Sequence, residues 1–249
     1  MKRHVQIVLT AVFVSLASCG RDPVDTPDEL ELSYDFQSGS NGWTAHFADY
    51  PQGSETFYEL LAEHRALPAP LEARGRGMFL FGNNHSDDLF MYLTKSVTGL
   101  QPNSTYRMRF SVEIATNAGR DCAGAGGSPS LVPVKVGATA SEPTRVLVPG
   151  SGAAQYYRMG IDKGEQSSGG RDAFVIGTVA GTSTNCSGDA PYALKRLDSA
   201  GSTFDLTTGA SGSLWLIVGF DSGFEGRQGI YVTEVEARLE RKYSLAEGT

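Results

Sequence analysis

This sequence has few of the residues from which reactive sites are usually built. Its 249 residues include three cysteines and four histidines, and no histidine follows His85. Without a Cys-x-x-Cys pair, zinc-ribbon and dithiol redox chemistry have no ligands at a workable spacing. No Gly-x-Ser-x-Gly elbow holds a serine in a strained turn, and a Ser-His-Asp triad would have to recruit His46, His64 or His85. The glycine clusters at 119–127, 160–170 and 181–188 are not followed by Gly-Lys-Ser/Thr, so none is a phosphate-binding loop. There is no internal repeat, and no second apolar span follows the first one. Basic residues are also in deficit: 21 Lys and Arg face 28 Asp and Glu, a formal net charge of −7. With no basic cluster interleaved with aromatics, such a surface repels a phosphate backbone, and nucleic acid is not expected as a partner.

What is present begins with a targeting segment. Lys2 and Arg3 precede an apolar run from Val5 to Leu16 that is too short for a permanent membrane span. The sequence Leu16-Ala17-Ser18-Cys19 resembles a bacterial lipobox. That resemblance implies cleavage before Cys19, lipid on this cysteine and a location in the cell envelope. The alternative is an ordinary secretory peptide with a chance cysteine. In Gram-negative lipoproteins an aspartate after the cysteine commonly holds the protein at the inner membrane. Gly20 stands there in this chain, which implies an outer-membrane anchor, facing either periplasm or exterior. The expected organisation is a signal peptide at 1–18, an acidic proline-containing tether at 19–31, one sheet domain at 32–240 and a tail at 241–249. Removing Lys2 and Arg3 leaves 19 basic against 28 acidic residues, a net charge near −9. If Cys19 carries lipid, Cys122 and Cys186 remain as a pair in an oxidising compartment. Bridging them would close a loop worth about 4 kcal/mol through restriction of the unfolded chain. Free thiols, or one metal ligand each, are the other reading.

The stretch from Leu89 to Ala115 organises the rest. Tyr106, Met108, Phe110, Val112 and Ile114 alternate with Arg107, Arg109, Ser111 and Glu113, the period of a strand with one buried face. Leu89 to Val97 is an earlier apolar strand, and Gln101 to Ser104 supply the turn between them. Gly99, Leu100, Pro102, Thr105 and Tyr106 are similar to the "G-L-x-P-x-T-x-Y" connection of galactose-binding-like jelly rolls, a fold of many carbohydrate-binding modules. The opening, with Phe36 and Trp43 around GSNGW, and the closing strand GIYVTEVEARL resemble the same modules. The resemblance implies an all-β fold, a single antiparallel β-sandwich of jelly-roll type. Trp43 then belongs to the core, with a sugar-stacking platform as the alternative. Further strands are expected at Leu131 to Val136, Tyr156 to Ile161, Phe174 to Val179 and Leu214 to Phe220, the last buried on both sides, and at Tyr231 to Leu239. Glu55 to Leu67 reads as an extended or mixed segment.

Three polar clusters carry the chemistry. Asn83, Asn84, Asp87 and Asp88 place four oxygen-bearing side chains in six residues, a donor set that suits Ca²⁺. The opposing reading is that these residues cap their own turns. Asp221 to Gly226 and Gly160 to Gln166 are the others. Where two of these loops meet, Asp221 and Glu225 could hydrogen-bond sugar hydroxyls, with Tyr156, Tyr157 or Phe224 as a stacking face. The resulting expectation is non-catalytic binding of a glycan or envelope ligand, assisted by calcium. A protein-interaction subunit is the second reading and a carbohydrate-active hydrolase the third.

Overall fold

The computed structural model describes residues 28–150, 152, 154–199 and 201–243. The signal segment, Cys19 and most of the tether and tail lie outside the described residues. In chain order the strands are β1 (Glu29–Asp35), β2 (Thr44–Ala48), β3 (Tyr50–Pro51), β4 (Leu61–Ala66), β5 (Arg76–Asn84), β6 (Leu89–Val97) and β7 (Thr105–Thr116). Then follow β8 (Pro133–Thr139), β9 (Arg145–Pro149), β10 (Gln155–Met159), β11 (Ala173–Thr178), β12 (Ala193–Asp198), β13 (Phe204–Thr207), β14 (Leu214–Ser222) and β15 (Gly226–Arg241). Every pairing between them is antiparallel.

Two sheets enclose the main core. The first runs β12-β7-β15-β5-β4, with β13 continuing along β7 and β1 continuing along β15. The second runs β11-β8-β14-β6-β2. Between them lie Met108, Val112 and Ile114 of β7, Leu89, Met91 and Leu93 of β6, and Leu216, Val218 and Phe220 of β14, all completely or almost completely buried. Each such side chain contributes about 1.5–3 kcal/mol relative to exposure. Trp43 joins this core, 3% exposed, with its ring 5.6 Å from Tyr34 and 6.3 Å from Phe36. The turn before β7 is tied down by its own tyrosine: the Gln101 N–H donates to the Tyr106 hydroxyl at 3.0 Å.

A third, smaller sheet, β3-β10-β9, covers the outer face of the second. Met159 of β10 packs on Ala48, Phe90 and Tyr92, and the Asp49 N–H donates to the Tyr157 carbonyl at 2.6 Å. This cover explains why β6, β8 and β14 read as continuous apolar runs rather than alternating ones, because both of their faces are enclosed.

Several expected boundaries move. Strand β1 already includes Glu29 to Glu31, which the composition assigned to the tether, because these residues pair with Arg238 to Glu240. Arg241, expected in the tail, belongs to β15 and faces Asp28. In β15 a bulge between Val232 and Glu234 shifts the register, so Ile230 and Val232 face inward with Val235, Ala237 and Leu239. Tyr231 is therefore on the outer face with Phe79, not on the inner one with Val235. Residues 55–67 are mixed as expected, turns followed by β4.

Cys122 and Cys186 are bonded, closing a sequence separation of 64 residues with Cα atoms 5.5 Å apart. Replacing both by serine is expected to lower unfolding stability by about 4 kcal/mol, less whatever order the reduced loops retain. The midpoint of urea unfolding checks this. An unchanged midpoint would mean that the two loops are held together without the bond.

Candidate functional site

The outer face of the second sheet is the starting point, because two charged residues stand on it beneath the third layer. Lys135 on β8 lies opposite Gly219 of β14, and Asp221 is two residues further along that strand. Both side chains are 0% exposed, and the Lys135 ammonium donates to Asp221 Oδ2 at 2.7 Å. Its other donors go to the backbone carbonyls of Lys163, at 3.0 Å, and Glu165. All three ammonium hydrogens therefore have acceptors, the condition under which a buried lysine is tolerated. Two of the three acceptors belong to the loop 160–172, so the lysine pins that loop to the sheet.

The pair extends into an alternating chain of charge. Lys163 donates to Asp221 Oδ2 at 2.7 Å and pairs with Asp49 Oδ2 at 3.0 Å. Arg158 of β10 pairs with Asp49 Oδ1 at 3.2 Å and with Asp88. Three cations thus face three carboxylates. Burial pushes the Lys135 pKa down against the opposing pull of Asp221. Burial also works against the Lys163 ammonium, but the Asp221 and Asp49 carboxylates outweigh it and hold its pKa above the ordinary value. Burial raises the Asp88 carboxyl, and the Asp49 carboxylate adds to this.

This chain brings the three polar loops to one end of the sandwich. The Gln166 side-chain amide donates to the Asp87 carbonyl. Asp87 Oδ1 and Glu225 Cγ each lie 2.9 Å from the point where a Cβ on Gly126 would sit, so only glycine fits between them. Between the turn at Asp87 and Asp88 and the loop 160–167 opens a cleft of about 600 Å³, bordered by Asp49, Arg158, Lys163 and Gln166.

The expected site residues divide within this arrangement. Asn83 and Asn84 are the last residues of β5, not part of a loop. Asn83 donates to Glu59 at 2.9 Å, and Asn84 donates to the carbonyls of Ser222 and Phe224 while its own oxygen accepts from Ser86 N–H. Asp88 is in an ion pair and Asp87 is exposed. The carboxylate that joins Asp88 and Asp221 is Asp49; these three have oxygens within 4.8 Å of one another. Asp221 itself sits in β14, fully buried, and positions lysines instead of meeting solvent. Asp162 closes its own turn, accepting from Gly164 and Arg171 N–H at 3.1 Å.

The aromatic residues divide too. Tyr157 packs inward, its ring 5.3 Å from Tyr50 with the Arg145 guanidinium 3.8 Å above it. Tyr156 has its ring 5.5 Å from the Arg158 guanidinium. Phe224 is half-buried against the main core. Tyr58 is buried with its ring 5.4 Å from His85, and burial raises its pKa against the opposing hydrogen bond with Ser86. The open ring is Phe57, 63% exposed and stacked on His85 at 4.0 Å beside the Asp87 turn. Asp49, Lys135, Arg158, Lys163 and Phe57 were all missed. Lys135 alone left a signal, as a single charge inside the apolar run from Leu131 to Ala138.

No family model matches the chain, and no curated protein matches it. Among solved structures it is similar to a sugar-binding protein of Bacteroides thetaiotaomicron, described there as putative, at 9% identity and a TM-score of 0.39, covering 84% of this chain and 92% of that one. It is similar also to a cleaved adhesin domain of Lys-gingipain from Porphyromonas gingivalis, at 14% identity and a TM-score of 0.37, covering 84% and 97%. A mannan-recognising carbohydrate-binding module matches at 10% identity and a TM-score of 0.35, covering 86% and 99%.

Breaking the charge chain should be costly. Asp221→Ala leaves Lys135 and Lys163 without their shared counter-charge, and removing one partner of a buried pair costs about 3–5 kcal/mol. Lys163 gives a pH signature. Its folded pKa is raised, so its stabilisation is complete below the ordinary value of 10.5 and is lost as pH rises through the higher folded value. In urea denaturation the stability gap between the native chain and Lys163→Met is expected to stay constant through neutral pH and to shrink above 10.5. A gap that widens with alkali would contradict the assigned pairing.

Proposed function

We propose that this chain is a non-catalytic glycan-binding module of the cell envelope, with its site in the loop-end cleft. The observation that carries the reading is the convergence of three loops whose polar side chains are held in place by the buried charge chain. Such a rim offers donors and acceptors, Arg158, Asp87, Asp88 and Gln166, and the exposed ring of Phe57 stacks on His85, two residues before Asp87. Polyhydroxylated rings need both, because their hydroxyls hydrogen-bond in the sugar plane and their C–H faces pack on aromatics. An anion is disfavoured, since the acids bordering the cleft outnumber its two cations, Arg158 and Lys163. A glycosidase sets two carboxyl groups on either side of the scissile bond; Asp49 and Asp221, 3% and 0% exposed, cannot serve as either of them.

Calcium assistance would draw on the expected set of Asn83, Asn84, Asp87 and Asp88, in which Asp87 is the exposed acid while the asparagines hydrogen-bond to protein groups and Asp88 pairs with Arg158.

The lipid anchor suits this geometry. Strand β15 starts at Gly226, opposite Asn84 by the cleft, and ends beside the start of β1, where Glu240 pairs with Glu29. At about 3.3 Å per residue the two points are about 45 Å apart. Lipid on Cys19 would therefore hold the end of the sandwich remote from the cleft and leave the site facing away from the membrane.

A second reading, an interaction subunit, is favoured by β9. It is a free edge of the third sheet, with Val146 43% and Leu147 44% exposed, and an exposed apolar edge invites another strand.

A glycan array followed by calorimetry on the retained oligosaccharide, with calcium and with chelator, tests the proposal. Phe57→Ala and Asp87→Ala should each weaken binding by at least about tenfold, or 1.4 kcal/mol. Both side chains are exposed, so stability should stay within about 0.5 kcal/mol for Phe57→Ala and about 1 kcal/mol for Asp87→Ala, whose φ of 56° suits alanine less than aspartate. Loss of affinity in chelator that Asp87→Ala no longer shows supports the calcium assignment. Retention of no glycan, or release of a shortened product, would overturn the reading. For the anchor, mass spectrometry of the amino-terminal peptide should find acyl chains on Cys19, and Cys19→Ala should move the protein from membrane to soluble fractions. Unmodified Cys19 in the membrane fraction would remove the anchor.

A further inference from the structure

A second cleft, of about 470 Å³, lies between β2 and the turn that leads from β8 into β9, and none of the six residues of the charge chain borders it. His46 and Tyr92 line it, their rings stacked at 5.3 Å, and Leu60 lines it too. Three charged side chains border the same space: Glu55, Glu142 and Arg145. Arg145 is exposed but not loose. Its guanidinium lies 3.8 Å from the centre of the Tyr157 ring, and Nη1 donates to the Tyr50 hydroxyl and, at 3.4 Å, to the Phe47 carbonyl. Nε and Nη2 have no acceptor among the described residues. The fork with which a guanidinium grips a carboxylate is therefore open.

Glu142 stands three residues before Arg145 and is also exposed, yet the two do not pair, and neither has another ion-pair partner among the described residues. The turn that carries them is fixed: the Thr144 N–H donates to the Glu142 carbonyl at 3.0 Å, and the Gly160 N–H donates to the Thr144 carbonyl at 2.9 Å. With Tyr50 and Tyr157 holding the guanidinium, two opposite charges face one opening without closing on each other. Glu55 is partly committed, its Oε1 accepting from the Tyr50 hydroxyl at 3.2 Å. Burial lowers the His46 pKa against the pull of Glu142, so near neutrality this ring adds no charge. An anion alone would meet the like charges of Glu55 and Glu142, and a cation alone would meet Arg145. A molecule that carries both charges a short distance apart meets neither objection. Its carboxylate and ammonium would stand in for the ion pair that the two side chains do not make, and Leu60 with the stacked rings would receive an apolar group between them.

We propose that this cleft binds a free α-amino acid, with the carboxylate on Arg145 and the ammonium on Glu142, and that it works independently of the loop-end cleft. The test is titration of the ¹⁵N-labelled protein with L-leucine, L-phenylalanine, L-methionine and D-alanine, followed in ¹H–¹⁵N spectra. At least one of them should saturably shift the Arg145 Nε–H signal and the backbone amides of 44–47 and 142–146. For that amino acid, the N-acetyl form, which lacks the ammonium, and the amide form, which lacks the carboxylate, should each bind at least about tenfold more weakly. Arg145→Gln should weaken binding by a similar factor. Glu142→Gln, at an exposed position, should leave the rest of the spectrum native and abolish the preference for the free amino acid over its N-acetyl form. Asp87→Ala, which tests the loop-end cleft, should leave the response unchanged. If none of the four gives saturable shifts at these residues, or if the N-acetyl and amide forms bind as well as the parent, the cleft is not an amino-acid site. If the shifts disappear in Asp87→Ala, they belong to the loop end and the second site does not exist.

Discussion

Lys135 and Asp221 share the outer face of the second sheet with Ala48, Phe90 and Tyr92, and the third layer covers that face. Two charges removed from water in this way are tolerable only when every polar hydrogen and the opposing charge find partners. Asp221 Oδ1 is buried without a donor among the described residues, and the loop 160–172 supplies most of the other partners. Its Lys163 and Glu165 carbonyls complete the coordination of Lys135, and its Lys163 ammonium bridges Asp221 to Asp49. The loop is therefore not free to choose another place. Because Asp49 leads on to Arg158 and Asp88, the same constraint fixes β10 and the turn after β5. The cleft is the gap left between elements whose positions the buried charges determine.

This arrangement trades stability for position. A well-packed apolar pair at 135 and 221 would hold the second sheet at least as well, since buried ion pairs seldom exceed their hydrophobic replacements. An apolar pair would not specify which carbonyls of the loop must approach, and it would give the rim no fixed orientation. Fixed polar groups lose little freedom when a ligand arrives, which is what a binding site without chemistry of its own requires. The length of β15 adds a separation of roles: one end of the strand carries the cleft, and the other meets β1, where the chain enters the sandwich.

Much of the framework was legible in the residues because it follows from periodicity. The alternation from Tyr106 to Ile114 and the apolar run from Leu214 to Phe220 locate β7 and β14, and Trp43 falls in the core where its size and neighbours put it. The closing strand was legible in extent but not in facing, because the bulge at Thr233 inverts the alternation and leaves no mark in residue types. The meeting of the loops around Asp87, Gln166 and Glu225 matches the clusters visible in sequence. The roles within it do not. Asp221 resembles a loop aspartate because it precedes Ser-Gly-Phe, and only pairing with Phe90 shows it to be strand. Lys163 and Arg158 look like ordinary surface cations, and their partners lie far away in the chain. Phe57 is invisible for the opposite reason: a phenylalanine among turn residues suggests burial, and the ring is exposed.

Native-state hydrogen exchange in the native chain and in Asp221→Asn, which keeps the shape but removes the charge, tests most directly whether the buried charges hold the loop. The amides of Asp162, Gly164, Gly170 and Asp172, all bonded within the loop 160–173, are the reporters. The charge chain predicts that these amides lose protection in Asp221→Asn while those of β6 and β7 keep theirs, a local opening distinct from global unfolding. Unchanged protection across 160–172 would contradict the account, because the loop would then be held by its own turns and the ion chain would be incidental to the cleft.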